Sequence, residues 1–311
     1  MLTLLAPAKL NLTLEVLAKR PDGFHEIRSV IQTINLCDSL RFRLGQSLTF
    51  KCDEPKWLPE KSLVSKAASL LQETTRTPKG ATIEVNKRIP LMSGLGGDSS
   101  DAAAILRGLN QLWDLGLPLP ELVKLASQLG SDVAFFLYRG TALVRGRGEI
   151  VTPLPPLPHT WVALVIPPVP RIPSKTEQLY ASLKPNHYTP GEITDRLAAL
   201  LTGRSLKGLR PFKTNTSPSP LRERRIEGER LLSNIFNVFE GVALDMFDRL
   251  REYREQFLKA GADCVHLAGS GPALFTLIKD KVQAAKIYES LQRQGLEAYL
   301  VETLASTNRV E

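Results

Sequence analysis

The chain has 311 residues, 43% of them hydrophobic, enough for one large core or two ordinary ones, and a formal net charge of +8. Its three cysteines, Cys37, Cys52 and Cys264, are odd in number and widely spaced, and its four histidines do not cluster. This argues against a disulfide framework or structural zinc and for reduced thiols in a cytoplasmic protein. No apolar run is long enough to cross a bilayer, and no basic segment precedes a cleavable apolar stretch, so neither a membrane partner nor export is expected.

Along the chain, Leu10, Leu12, Leu14 and Val16 fall on every second position. They predict a strand with one buried face and with Lys9, Asn11, Thr13 and Glu15 sharing the other. Ala81 to Val85 reads as a second strand, followed by a glycine-rich loop and a helix opened by Ser99 and Ser100. The helix is marked by Ala102, Ile105, Leu106, Leu109 and Leu112, and Trp113 ends its apolar stripe. Leu122, Leu125, Ala126 and Leu129 predict another helix, stopped by Gly130, with Asp132 just beyond.

Pro153–Pro158 is a stiff proline-rich connection, and it divides the chain into a first part, 1–155, and a second, 160–311. Trp161 to Ile166 is an apolar strand. Between Arg204 and Arg230, eight basic residues face only Glu223, Glu227 and Glu229, so five of the eight net charges concentrate there. The same stretch contains Thr214–Pro220, rich in serine and proline, and reads as a mobile surface insertion around 203–230. It lacks the repeated aromatic interleaving of a single-strand platform, so no nucleic-acid partner is expected. Ile235, Val238, Phe239, Val242, Met246 and Leu250 predict one long amphipathic helix. Val265–Ala268, a Gly269-Ser270-Gly271 turn and Ala273–Ile278 read as strand, connection and strand. A helix from about Val282 to Gln294 and a strand Ala298–Val301 follow, giving an α+β pattern in both halves.

The stretch that carries chemistry is residues 90–104, Pro-Leu-Met-Ser-Gly-Leu-Gly-Gly-Asp-Ser-Ser-Asp-Ala-Ala-Ala. Gly94, Gly96 and Gly97 let backbone N–H groups approach a ligand closely, and the helix that follows aims its unpaired N–H groups and positive dipole end at the same place. That combination suits a phosphate. No lysine follows the glycines, so the loop is not a Walker A loop. Ser99 stands where a dinucleotide fingerprint needs its third glycine.

The loop resembles the phosphate loop of the GHMP kinases, the galactokinase, homoserine, mevalonate and phosphomevalonate kinase superfamily. Ala6-Pro7-Ala8-Lys9-Leu10-Asn11-Leu12, Arg20-Pro21-Asp22-Gly23-Phe24-His25, Leu129-Gly130-Ser131-Asp132-Val133 and Ala268-Gly269-Ser270-Gly271-Pro272-Ala273 agree in colinear order. The resemblance implies a two-domain α+β fold, with a ribosomal-S5-like N-terminal domain, a ferredoxin-like C-terminal domain and the active site between them. It implies ATP as co-substrate, travelling with Mg²⁺, and no resident metal. Pro90, Leu91, Met92, Ser93, Gly94, Leu95, Gly96, Gly97, Asp98, Ser99 and Ser100 are expected to hold the nucleotide. By resemblance Asp132 is the catalytic base and Lys9 its partner; from sequence alone Asp132 reads as a helix-cap or turn residue and Lys9 as an edge-strand charge.

Within the superfamily the Arg20-to-His25 segment resembles the branch acting on a cytidine diphosphate ester of methylerythritol, phosphorylated at its 2-hydroxyl. Phe24 and His25 are then candidates to receive cytosine, with Phe24 standing where the family often has tyrosine. Asn11, Ser270 and Gly271 are candidate contacts to the acceptor or the phosphates. A kinase of the homoserine or mevalonate type, or a non-catalytic nucleotide-binding protein, are the alternatives. Small molecules are the expected partners of a monomer or weak homodimer. Two residues depart from the family pattern. Asp98 replaces a usual glycine and is expected either to face solvent or to help hold Mg²⁺, the second being the working hypothesis. Ser62 stands where relatives often carry an asparagine near adenine.

Overall fold

The computed structural model describes residues 1–204 and 234–305. The expected basic insertion therefore lies, apart from its first two residues, outside the described residues. The chain opens with β1 (Leu2–Lys19) and β2 (His25–Gly45), a long antiparallel pair. There follow β3 (Leu48–Cys52), α1 (Leu63–Thr75), β4 (Gly80–Asn86), α2 (Gly97–Leu112), α3 (Leu119–Leu129), α4 (Val133–Tyr138), β5 (Thr141–Gly146) and β6 (Ile150–Pro153). Beyond the proline-rich connection come β7 (Trp161–Ile166), α5 (Lys175–Ala181), α6 (Glu192–Thr202), β8 (Phe236–Asn237), α7 (Phe239–Met246), α8 (Leu250–Lys259), β9 (His266–Leu267), β10 (Leu274–Ile278), α9 (Lys281–Arg293) and β11 (Glu297–Glu302).

Two sheets organise these elements. The first runs β3-β4-β2-β1-β8, with β5 pairing the front half of β2 and β6 pairing β5. The second runs β11-β7-β10-β9. Helices α1 to α4 cover the first sheet through Val64, Leu71, Leu106, Trp113, Leu125 and Phe135, packed on Phe42 and Ile83. Helices α7, α8 and α9 pack the second through Phe239, Phe257, Ile287 and Leu291. A third apolar cluster joins the sheets: Leu10, Leu12, Val30 and Ile34 meet Val162, Leu164, Phe275 and Val301.

This third cluster corrects the expectation of a half-exposed first strand. β1 is buried on both faces from Ala6 to Val16, because the second half of the chain supplies a second cover. Most of the polar row is satisfied within that interior, Glu15 Oε1 being left without a partner among the described residues. Thr194 Oγ1 donates to Thr13 Oγ1 (2.9 Å), and Thr194 N donates to Glu15 Oε2 (2.7 Å).

A second correction concerns the helix expected over 235–250. Phe236 and Asn237 form a strand parallel to β1, and Arg249, at φ 60°, separates α7 from α8. Asn237 is the cause of the first break. Its amide donates to Leu267 O (2.9 Å) and Gly269 O (2.7 Å), while its Oδ1 accepts from Phe239 N (2.9 Å). A residue holding another strand in this way cannot also sit in a helical turn.

Candidate active site

β1 carries Lys9 into the interior at 5% exposure. Its backbone N–H donates to Leu95 O in the glycine loop (2.9 Å), so strand and loop are fixed to one another. Its ammonium donates to Asn11 Oδ1 (2.7 Å) and lies 3.3 Å from Asp132 Oδ2. Asn11 in turn donates to Ser29 Oγ (2.9 Å), and Ser29 to the Thr13 carbonyl (2.5 Å). Asn11 thus orients Lys9 through its Oδ1 and uses one of its two amide N–H donors on Ser29.

Asp132 precedes α4 but caps nothing with its side chain. The Asp132 side chain is 34% exposed, against 6% for that of Lys9, so the carboxylate is the solvent-accessible member of the pair. The helix-cap alternative is therefore not what the side chain does.

The glycine loop is built for close approach. At Gly96 (φ 76°) a Cβ would lie 2.9 Å from the Phe136 ring and 3.1 Å from Lys9 Cγ. At Gly94 (φ 90°) it would overlap the Ala268 carbonyl and lie 2.8 Å from Gly271 N. Only glycine fits either position. The helix beyond begins at Gly97, two residues before the serines, and leaves its first N–H groups turned to the loop. Ser93 Oγ donates back to Pro90 O (2.7 Å), and Leu95 buries its side chain, so these two contribute backbone to the loop. Leu91 is half-buried and Met92 exposed.

The strand leading into the loop is anchored by a buried ionic cluster. Lys87 Nζ donates to Asp101 Oδ2 (2.7 Å) and to Asp38 Oδ2 (2.5 Å), and Asp38 Oδ1 also accepts from Ile89 N (2.8 Å). Burial works against the Lys87 charge, but Asp101 and Asp38 outweigh it and raise its pKa; burial raises that of Asp101 well above the carboxylate range. Sequence reasoning passed over this cluster, since 49 residues separate Asp38 from Lys87.

Asp98 is half-buried rather than turned to solvent, and its carboxylate accepts from Ser62 Oγ and from Leu63 N (3.0 Å). Ser62 Oγ also accepts from Val64 N (3.1 Å) as the N-cap of α1. Asp98 ties the start of α1 to the start of α2, which satisfies an orphan N–H and explains a carboxylate next to a phosphate loop.

On the acceptor side, His25 stacks on Tyr180, centroids 4.8 Å apart at 22°, and meets Tyr188 edge-on. Burial and the Lys19 charge lower the His25 pKa, which favours neutral imidazole. Burial, with the Asp132 carboxylate, raises that of Tyr180. Phe24, 49% exposed, lies beneath the Arg147 guanidinium at 4.7 Å and apart from His25's stack. Ser270 Oγ accepts from Thr176 Oγ1 (3.0 Å), and Gly271 O accepts from Lys175. Lys175, Tyr180 and Asn237 touch these segments, at Met92 and Gly271, at His25 and at Gly269, and were not legible in the sequence. The only signal was a lone lysine after the Pro167–Pro173 segment.

Among the described residues, no group of three His, Cys, Asp or Glu side chains converges as a metal site, and no helix is long and apolar enough to cross a membrane. The fold and the loop–strand geometry define a small-molecule kinase of the GHMP type. The chain belongs to the GHMP kinase family: a family model described as GHMP kinases N terminal domain matches residues 62–140, and one described as GHMP kinases C terminal matches 221–297.

Similar proteins narrow the class. A 4-diphosphocytidyl-2-C-methyl-D-erythritol kinase of Dehalococcoides mccartyi is 48% identical over 304 residues, 98% of this chain and 99% of that protein. One from Geobacillus thermodenitrificans is 35% identical, covering 100% and 99%. A solved 4-(cytidine 5'-diphospho)-2C-methyl-D-erythritol kinase superposes with a TM-score of 0.75 at 31% identity, over 97% of this chain and 99% of that one. A homoserine kinase from Cytophaga hutchinsonii, at 20% identity and TM-score 0.68, shares the fold.

Proposed function

We propose that the chain transfers the γ-phosphoryl group of ATP to the 2-hydroxyl of 4-(cytidine 5'-diphospho)-2-C-methyl-D-erythritol, a step of isoprenoid precursor synthesis. The observation that carries this is the Lys9–Asp132 pair, 3.3 Å apart and opening beside the glycine loop, in a chain 48% identical to a kinase of that name. Backbone N–H groups from Gly94 to Ser99 hold the phosphates, helped by the α2 dipole; that of Ser100 is taken up by Gly96 O (2.9 Å). Asp132 accepts the proton of the attacking hydroxyl. Lys9, held by Asn11, keeps the carboxylate in place and stabilises negative charge on the attacking oxygen. His25, stacked on Tyr180, offers a ring edge to the cytosine, with Phe24 at the rim.

Magnesium fits this site. Ser100 Oγ, in the first turn of α2, is buried and without a protein partner, a hard oxygen donor next to the phosphates. Bound there with ATP, the ion would neutralise phosphate charge.

The test is ADP release from the purified protein with ATP, Mg²⁺ and a panel of alcohols. Turnover with the cytidylyl ester alone supports the proposal. Turnover only with a simple amino acid or hydroxy acid would move the chain to another branch of the family, and ATP binding without turnover on any acceptor would make it a nucleotide-binding protein.

A further inference from the structure

Lys175 is 7% exposed, yet among the described residues no carboxylate pairs with it. Its ammonium donates to two backbone carbonyls: Met92 O of the glycine loop (2.7 Å) and Gly271 O of the 269–271 turn. These account for two of its three N–H donors. A buried cation held only by carbonyl dipoles is uncompensated, and the natural compensation is an anion. Lys175 and the entry arm of the glycine loop, Pro90 to Ser93, line one cavity of about 390 Å³ between the two halves of the chain; Lys9, Asp132 and Gly94–Ser100 are not part of its lining. We propose that Lys175 is a phosphate-binding cation of this cavity, at the edge of the Lys9–Asp132 site: it clasps the glycine loop to the 269–271 turn and offers its remaining N–H and its charge to phosphoryl oxygens entering beside it.

The proposal rests on the kinase assignment above and adds to it a residue outside the Lys9–Asp132 pair. Arg88 and Arg171 line the cavity with Lys175, against Glu54 and Glu297; Lys87 also lines it, but its charge is met by Asp38 and Asp101, and Lys9, whose charge acts on Lys175 from β1, is paired with Asp132. Burial, reinforced by the like charge of Lys9, brings the Lys175 pKa down to about 8. An anion beside the ammonium favours its charged form and raises that value again. Binding is therefore coupled to proton uptake. Protons are taken up on binding where the free ammonium is partly discharged, and affinity falls as pH rises from 7 to 9.

The experiment is calorimetric titration of the whole protein with Mg²⁺–ATP and, separately, with cytidine diphosphate. It is run in buffers of different ionisation enthalpy between pH 7 and 9, on wild type, Lys175→Arg and Lys175→Met, with thermal melts to establish folding. The expected result is proton uptake near pH 8 in wild type. Lys175→Arg binds without uptake and with a flat pH profile, and Lys175→Met binds at least tenfold more weakly at pH 7. Uptake with ATP assigns the contact to the triphosphate, and uptake with cytidine diphosphate assigns it to the acceptor's phosphates. ATP binding by wild type with no proton exchange, or uptake that persists in Lys175→Arg, overturns the inference and leaves the kinase assignment standing. A wild type that binds neither nucleotide overturns both. Should Lys175→Met fail to fold, the arginine variant decides.

Discussion

Replacing Gly94 by alanine isolates the contact through which the two halves of the chain build one site. The residue sits at φ 90°, where an L side chain is strained by about 1–2 kcal/mol. The added methyl would also overlap the Ala268 carbonyl and lie 2.8 Å and 2.9 Å from Gly271 N and O, all backbone atoms that cannot swing aside. Forcing such a group into a packed region adds about 1–3 kcal/mol, for a total of about 2–5 kcal/mol. Two controls separate the contributions. Gly116, at φ 65° with nothing within 4 Å, reports strain alone, about 1–2 kcal/mol. Gly241, inside α7 with open space around it, gains about 0.5–1 kcal/mol as alanine. Urea unfolding of the three variants gives the ranking through the midpoint at constant slope. ATP affinity falls in Gly94→Ala, whose loop is pushed off the 269–271 turn, and is unchanged in Gly116→Ala. If Gly94→Ala matches Gly116→Ala to within about 0.5 kcal/mol, the loop–turn contact is not the constraint described here.

Asp132→Asn retains ATP binding and loses about 10²–10⁴-fold in kcat, and full turnover would remove Asp132 as the base. Asp98→Gly leaves magnesium dependence unchanged but lowers stability by about 1–2 kcal/mol, because Leu63 N and Ser62 Oγ lose their acceptor; an altered magnesium requirement would reverse that account. Burial works against the His266 charge, but the hydrogen bonds to Cys264 and Glu240 outweigh it and raise the pKa to about 9. Folding thus favours protonated His266. A contribution of about 3 kcal/mol is complete below pH 6.5 and lost as pH rises through 9, and His266→Gln flattens that fall in pH-dependent unfolding. The same hydrogen bond lowers the Cys264 thiol against the effect of burial, whereas burial raises Cys52 and takes Cys37 to about 11. Iodoacetamide at pH 7 therefore labels Cys264 first, and equal labelling of the three would contradict the geometry.

Local signals in the chain were sufficient for the elements whose period is short. The alternation of Leu10 to Val16, the helix from the glycine loop to Leu112, the stop at Gly130 and the strand Trp161–Ile166 were all legible, because side-chain period and glycine punctuation act over a few residues. The glycine loop was legible for the same reason: its tight turns at Gly94 and Gly96 need glycine at fixed, nearby positions. What tertiary structure alone decided is how distant polar groups satisfy one another. Asn11 reaches Lys9, Asp98 reaches the start of α1, and Asn237 takes the 267–269 carbonyls in place of a helical turn. Each pairing depends on which partner comes within about 3 Å, a distance set by packing across hundreds of residues. Lys175 is the extreme case. Nothing beside it in sequence says that its ammonium reaches two carbonyls, 83 and 96 residues away, because hydrogen-bond satisfaction in an interior is a property of the assembled fold.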